Sequence, residues 1–262
     1  MRDPHTPPVT TSVDLSAYGA WLFDMDGVLT KTAAVHAAAW KLAFDEFLQR
    51  EAGGGSSHFV PFDVEGDYEN YVDGEPRGDG VRNFLASRNI KLPEGADGDS
   101  PETRSVTGLG NRKNDLVLGV MKREGVAVFE GAVELVNELR RRGVKVGVVS
   151  ASENTREALG AAHVLGLFDA VVDGHVVKNL HLAGKPAPDS FLECARVLGV
   201  GPERSVVLED ALAGVAAGRA GHFGLVIGVD HHDDASTHEY ADQLHNHGAD
   251  VVVSSLAELL SA

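Results

Sequence analysis

Two aspartates one residue apart, Asp24 and Asp26, are the side chains of this chain whose types and spacing best suit chemistry. They follow the apolar run 20–23, which predicts a buried strand, and they precede Gly27. Because glycine can turn the chain sharply after a strand, both carboxylates can approach one reacting group from different directions. A solvated acidic turn is the alternative that this segment alone leaves open.

Further polar clusters lie where other strands are predicted to end or a helix to begin. Their members are Ser150, Lys185, Glu209 and Asp210. The serine follows a predicted strand at 144–149, the two acids follow one at 205–208, and the lysine lies in the proline-containing loop 184–189. Ligands bind at the carboxyl ends of parallel strands, so we expect these side chains to meet there. Carboxylates suit a divalent cation, whereas a hydroxyl and an ammonium group suit phosphate oxygens.

The elements that must position these residues alternate along most of the chain. The predicted strands are 20–24, 144–149, 170–172, 205–208, 225–229 and 250–253. Between and after them, helical patterns occupy 131–142, 154–163, 188–198, 211–220 and 256–260. Such an alternation predicts an α/β fold with a doubly wound parallel sheet, a Rossmann-like core, and helices on both faces.

Residues 32–126 interrupt this alternation and predict an inserted α-helical cap domain. The catalytic core would then consist of 19–31 and 127–262, preceded by a flexible N-terminal segment, 1–18. Within the insertion, helical patterns lie at 33–50, 80–88 and 115–123.

Composition restricts the classes of partner. The 262 residues include 23 bases and 39 acids, a formal charge of −16, which disfavours nucleic acid and anionic membranes as partners. We find no apolar run of membrane-spanning length and no signal-peptide pattern, which predicts a cytoplasmic protein. Cys194, the single cysteine, lies on an apolar helical face and is predicted to be buried rather than nucleophilic.

Together the motifs resemble those of the haloacid dehalogenase superfamily and, within it, the β-phosphoglucomutase-like group. The resemblance implies that Asp24 is the nucleophile, which forms an aspartyl-phosphate, and that Asp26 is the general acid and base. It implies that Ser150 and Lys185 hold the transferring phosphoryl group.

The same resemblance implies a Mg²⁺ site. Asp210 would complete it with the Asp24 side chain and the Asp26 carbonyl, and Glu209 would contact the metal directly or through water. The physical chemistry agrees, because Mg²⁺ is normally held by one or two carboxylates together with substrate phosphate.

Four insertion residues match the pattern of that group: Thr32, His36, Arg77 and Lys113. The resemblance implies that the arginine binds the phosphate that is not transferred. It implies that the histidine and the lysine couple substrate binding to the placement of Asp26, while Thr32 lies in the hinge. Asn154, which follows the serine motif, resembles a further phosphate contact.

Each cap residue also has a plainer interpretation. His36 could be an ordinary histidine in an alanine-rich helix, and Lys113 a solvated charge at a helix start. Arg77 could be a salt-bridged loop residue, although it is the only base between residues 61 and 79, among seven acids.

Three features depart from the pattern of the group or remain outside it. Lys31 stands where an acidic residue usually follows the motif, and the stretch 53–71 is longer than in compact members. A His-rich segment comprises residues 230–234 with His238, His245 and His247. We interpret this segment as a solvated loop rather than a metal site, because its spacing is not that of rigid ligands.

The function predicted from these motifs is a mutase that interconverts β-glucose 1-phosphate and glucose 6-phosphate through a bisphosphate. A sugar-phosphate phosphatase with the same nucleophile and water as acceptor is the alternative. A non-catalytic sugar-phosphate-binding protein is disfavoured by the complete set of acids and bases.

Overall fold

One sheet of six parallel strands organises the computed structural model, which describes residues 13–52, 59–231 and 237–260. The strands are β1 (Ala20–Asp24), β2 (Lys145–Val149), β3 (Ala170–Val172), β4 (Ser205–Glu209), β5 (Leu225–Val229) and β6 (Val251–Val253). Their order is β3-β2-β1-β4-β5-β6, so the strand order reverses between β1 and β4. This is the α/β doubly wound fold predicted from the sequence, and its ligand crevice lies at the carboxyl end of β1 and β4.

The helices follow the chain in two groups. Those of the insertion are α1 (Ala33–Glu51), α2 (Gly66–Tyr71), α3 (Arg77–Ser87) and α4 (Val106–Glu124). Those around the sheet are α5 (Ala132–Arg141), α6 (Thr155–Ala161), α7 (Gly174–Leu180), α8 (Asp189–Leu198), α9 (Leu212–Ala220) and α10 (Thr237–His247). Short 3₁₀ helices lie at Leu165–Leu167, Pro202–Arg204 and Leu256–Leu260.

The sheet is buried on both faces, and β1 shows why an unbroken apolar run forms its centre. Trp21 and Phe23 pack into one hydrophobic cluster, whereas Ala20 and Leu22 pack into the other, on the opposite face. Successive strand residues point to opposite faces, so a central strand covered on both sides needs apolar residues at every position. Asp24, the first polar residue of the run, therefore marks the point where β1 leaves the core.

The cap has its own hydrophobic cluster. Its centre is an aromatic group in which Phe44 lies 4.9 Å from Trp40, 5.3 Å from Phe62 and 4.1 Å from Phe84, measured between ring centroids. The two connections to the core are held together, because the Lys31 amide donates to the Ala127 carbonyl. The cap is thus tied beside the carboxyl end of β1; its exact bounds at 32–126 stay a prediction.

Several elements differ from the prediction. Helices α3 and α4 begin earlier than expected, and for α4 the signal was available, since the Ser105 side chain accepts a hydrogen bond from the Gly108 amide as an N-cap. Residues 256–260 form a 3₁₀ helix. Val13 and Leu15 are buried in the core, so the packed chain begins before residue 19. Residues 1–12 lie outside the described part.

The His-rich segment is only partly a loop. Residues 232–236 and the side chain of His238 lie outside the described residues, but 237–247 form helix α10, because Tyr240 and Leu244, one turn apart, pack against the core. His245 and His247 each contact a backbone carbonyl through Nδ1, at 3.0 and 2.8 Å. The prediction of a solvated loop is therefore wrong for this half.

Cys194 is fully buried on α8, as predicted, and burial raises the pKa of its thiol to about 12. In the described part of the chain we find no helix long and apolar enough to cross a membrane.

The aromatic cluster of the cap yields a stability prediction. Replacing Phe44, which is fully buried, with alanine should lower the free energy of unfolding by about 3 to 5 kcal/mol, because it leaves a cavity among three rings. Leu42→Ala, on the same helix but 47% exposed, should cost less than about 1 kcal/mol. Urea titration followed by tryptophan fluorescence measures both variants. Similar losses in both would mean that the cluster does not stabilise the cap.

Candidate active site

Carboxylates from two neighbouring strands meet at the point where the strand order reverses. Asp24 ends β1, Glu209 ends β4 and Asp210 follows it, and one oxygen atom from each lies within 4.8 Å of the others. Burial raises the pKa of Asp24 and of Asp210 well above the ordinary value, and neighbouring acids add to the effect. Such a group of oxygens is suited to a divalent cation.

Lys185 contacts these acids directly. Its Nζ lies 2.5 Å from Asp24 Oδ1, and it also donates to Glu209 Oε1. The second Glu209 oxygen accepts the Ala211 amide at 3.0 Å, so this carboxylate is fixed from both sides. Burial lowers the pKa of Lys185, but the two carboxylates raise it by more, to above its usual value. The side chain is therefore a permanent cation at the site.

Gly27 makes room for this arrangement. Its φ is +87°, and a Cβ atom there would lie 1.8 Å from Asp210 Oδ2. Gly214 has a similar role, because its Cβ would lie 1.8 Å from Glu209 Oε1. Glycine is thus required at both positions to let β1 and α9 approach the acids.

Asp26 is set apart from the acids that contact Lys185. Thr32 donates to its Oδ1, and Ser150 Oγ lies 3.4 Å from its Oδ2. Thr30 contacts Thr32 at 2.7 Å between hydroxyls, and Gly27 donates to the Thr30 carbonyl at 2.9 Å. The turn after β1 therefore gives the second carboxylate partners different from those of the first. Thr32 is buried beneath Asp26, and its contact is with this acid.

The cap residues His36 and Lys113 form a buried pair behind Asp26. Lys113 Nζ lies 2.8 Å from His36 Nδ1, and His36 Nε2 lies 3.7 Å from Asp26 Oδ1. Burial, and next the ammonium of Lys113, lower the pKa of His36 to about 4, and burial lowers the pKa of Lys113 to about 7. The lowered pKa favours a neutral imidazole. Where its Nδ1 accepts from the Lys113 ammonium, its proton lies on Nε2, the nitrogen that faces Asp26.

Two contacts join the cap to the loop after β2. Arg77, the first residue of α3, forms an ion pair with Glu153, and the Asn154 side chain donates to Asn114 Oδ1 at 2.7 Å. Arg77 and Asn154 both line the pocket that contains Asp24. The structure thus brings together all the predicted site residues, although Thr32 reaches the pocket only through Asp26.

Among the pocket residues missed by the sequence reasoning, besides Glu153, are three polar side chains of the cap. Asp73, Tyr68 and Glu75 line the pocket from the cap. Burial raises the pKa of Asp73 to about 7, and Glu209 adds to the effect; Tyr68 forms a hydrogen bond with Asp73. An acidic composition in residues 63–75 was visible, but no spacing in the sequence shows which of its acids faces the core.

The family model of haloacid dehalogenase-like hydrolases matches residues 18–222, the range that contains every residue described at this site. The chain belongs to this family. A β-phosphoglucomutase of Mycobacterium tuberculosis is 48% identical over 241 residues, which cover 92% of this chain and 91% of that protein. An uncharacterized glycosyl hydrolase of the same species is 35% identical over 251 residues, which cover 96% of this chain but 18% of that protein.

Solved structures agree with the family on the fold. A β-phosphoglucomutase of Clostridium difficile has a TM-score of 0.68 at 24% identity, and the match covers 92% of this chain and 93% of that one. CbbY of Rhodobacter sphaeroides, solved in complex with phosphate, has a TM-score of 0.66 at 26% identity and covers 92% and 96%. This haloacid dehalogenase-like enzyme thus has the Rossmann-like core and helical cap predicted from its sequence.

The contact between Gly27 and Asp210 yields a prediction for the site. In Gly27→Ala the new methyl group must displace the Asp210 carboxylate, so phosphoryl transfer should fall by about 100-fold or more. Gly160→Ala is the matched control, since a Cβ there meets nothing within 4 Å. Release of phosphate from acetyl phosphate measures both variants, and circular dichroism checks their folding. Full activity in a folded Gly27→Ala protein would contradict the importance of this close approach.

Proposed function

We propose that the protein transfers a phosphoryl group through an aspartyl-phosphate on Asp24 and interconverts β-glucose 1-phosphate and glucose 6-phosphate. The observation that carries the proposal is the separation of two carboxylates that share one pocket. Asp24 lies with Lys185 among the buried acids, whereas Asp26 is held by Thr32 and Ser150. One carboxylate can attack phosphorus while the other moves a proton. The 48% identical β-phosphoglucomutase supports this assignment.

In the first step, a carboxylate oxygen of Asp24 attacks one phosphorus of the sugar 1,6-bisphosphate. The bond from that phosphorus to the sugar oxygen breaks and leaves a sugar monophosphate. The leaving oxygen takes a proton from the Asp26 carboxyl group, which becomes a carboxylate. Lys185 and Ser150 contact the phosphoryl oxygens and offset the charge that spreads over them.

In the second step, Asp26 takes the proton from the free hydroxyl of β-glucose 1-phosphate, and that oxygen attacks the phosphorus of the aspartyl-phosphate, which re-forms the 1,6-bisphosphate. The bond to Asp24 breaks, so nucleophile and acid return to their first states. Arg77 binds the phosphate that is not transferred, and Asn154 is a further phosphate contact. The sugar must present first one oxygen and then the other to the same centre, and a second anchor in the cap suits this exchange.

The acidic group fits a Mg²⁺ ion. Asp24, Glu209 and Asp210 bring three oxygens close together. Burial and the neighbouring acids raise the pKa of Asp24 and of Asp210, so their ionised forms need more cationic support than Lys185 alone gives. Asp24 and Asp210, with the Asp26 carbonyl, would hold the ion, and Glu209 would complete the set. When bound, Mg²⁺ would neutralise charge on the transferring phosphoryl group.

A sugar-phosphate phosphatase is the second candidate. The observation in its favour is that Arg77, the side chain that would bind a second phosphate, is already paired with Glu153. In this alternative, water rather than a sugar hydroxyl attacks the aspartyl-phosphate. The two candidates share Asp24, Asp26 and the cation site, so only the fate of the phosphoryl group separates them.

The role of Asp26 predicts a dependence on the leaving group. Asp26→Asn should slow transfer from β-glucose 1-phosphate to Asp24 by about 10² to 10⁴, because the poor leaving oxygen needs a proton. Transfer from acetyl phosphate, whose leaving group needs none, should fall far less. Rapid-quench single-turnover rates with both donors measure the difference, and Asp242→Asn, at an exposed position, is the control. Equal losses with both donors would make Asp26 a structural residue.

Arg77 separates the mutase from the phosphatase. Phosphorus NMR of the protein with Mg²⁺, β-glucose 1-phosphate and a trace of the 1,6-bisphosphate should show glucose 6-phosphate, and Asp24→Asn should show no transfer. Arg77→Ala should lower this turnover by about 10² or more, since it removes a charge-assisted contact to the second phosphate. Hydrolysis of acetyl phosphate should fall far less.

The same spectra contain the result that would refute the mutase. Release of inorganic phosphate without glucose 6-phosphate from the unmodified protein identifies a phosphatase. Equal effects of Arg77→Ala on the turnover of both substrates would show that Arg77 does not bind the second phosphate.

A further inference from the structure

The ion pair between Arg77 and Glu153 is a contact between the cap and the core that the proposed function does not explain. Arg77 begins α3, and Glu153 lies in the loop between β2 and α6. The two side chains are 26% and 25% exposed, so each can reach solvent and exchange its partner. The guanidinium group that would anchor a second phosphate is thus already bound to a carboxylate.

The pair lies where two spaces meet. On one side is the pocket with Asp24, a narrow space of about 70 Å³, and on the other is a cleft of about 600 Å³ between cap and core. Arg77, Ala151 and Glu153 line both. A change in this ion pair therefore alters the wall of the pocket without moving Asp24.

A carboxylate and a phosphate compete for the same face of an arginine. The planar guanidinium group binds either anion through two parallel hydrogen bonds, and two anions at one fork repel each other. In this structure Arg77 Nη2 donates to Glu153 Oε2, so a second phosphate that takes Nη2 as one of its two donors must displace Glu153. Phosphate carries more charge than the carboxylate, so the exchange can proceed, but the affinity is reduced by the cost of breaking the existing pair.

The cleft provides a place for the displaced carboxylate. Lys178, on α7, lines the cleft with Glu153, and the charge of Glu153 contributes to raising the pKa of Lys178. Lys178 now pairs with Asp97 of the cap at 2.9 Å, and both side chains are largely exposed. Glu153 can thus turn from one cation towards another as the phosphate arrives.

We propose that Glu153 is a specificity-determining residue that competes with the second phosphate of a bisphosphorylated sugar for Arg77. Glu153 weakens the binding of bisphosphates relative to that of monophosphates, because a monophosphate has no second phosphate that must bind Arg77. The inference rests on the proposed function for the role of Arg77, but it concerns binding and not the fate of the transferred group.

The test compares two ligands in a full-length chain that cannot turn over. In an Asp24→Asn background with Mg²⁺, isothermal titration calorimetry measures the affinities for glucose 1,6-bisphosphate and β-glucose 1-phosphate. Adding Glu153→Gln should tighten bisphosphate binding about three- to tenfold and monophosphate binding by less than about twofold. Glu157→Gln, an exposed residue of α6 with the same charge, should change neither by more than about twofold. The gain from Glu153→Gln should shrink in an Arg77→Ala background.

The direction of the change decides between two roles. If Glu153 only holds Arg77 in position for phosphate, Glu153→Gln weakens bisphosphate binding, and competition is overturned. An unchanged affinity, a gain equal to that of Glu157→Gln, or no bisphosphate binding in any variant overturns it as well. If Glu153→Gln tightens bisphosphate binding while the unmodified protein releases only inorganic phosphate, the mutase proposal is refuted and the competition for Arg77 is supported. If glucose 6-phosphate forms but Glu153→Gln does not tighten bisphosphate binding, the mutase proposal is supported and the competition for Arg77 is refuted.

Discussion

Buried negative charge at the carboxyl ends of β1 and β4 is the constraint on which the rest of the structure depends. Burial raises the pKa of Asp24 and of Asp210, and the Lys185 ammonium compensates only part of this charge. Acids so close together persist in a folded protein only where cations and hydrogen bonds support them. The contacts of Lys185 and the glycines beside the acids serve that purpose, and the same three acids are suited to a divalent cation.

The cap covers this charged site and also contributes charged groups to it. It contributes Asp73, an acid whose pKa burial raises to about 7, and it also contributes the Arg77 guanidinium and the Lys113 ammonium. These three charged groups line the pocket that also contains the acids of the core, so cap and core are coupled through electrostatics as well as packing. A phosphate bound in the pocket would change this balance at several points at once and would therefore bias the contacts between cap and core.

The sequence predicted the parts of this arrangement that depend on local pattern. Apolar runs located β1 and β4, so Asp24 and Glu209 were found as the first polar residues after them. Lys185 is 161 residues from Asp24 along the chain, and only its motif predicted their contact. The pairing of Arg77 with Glu153, 76 residues apart, belongs to no local pattern and was missed, because it depends on how the cap rests on the core. Helix α7 was missed as well; it is only seven residues long, too short for a clear period.

Mutase and phosphatase chemistry share one nucleophile, so the surroundings of Asp24 must separate them. Asp24 is 6% exposed and Lys185 4% exposed, and cap residues line the same narrow pocket. Attack by water requires water beside the aspartyl-phosphate, whereas attack by a bound sugar hydroxyl gains from its exclusion. A cap that stays closed around the sugar favours the hydroxyl, and the groups that hold it closed are those that bind the far end of the substrate. In the proposed function, selectivity between the two reactions would therefore depend on the contacts of Arg77, remote from the phosphorus atom.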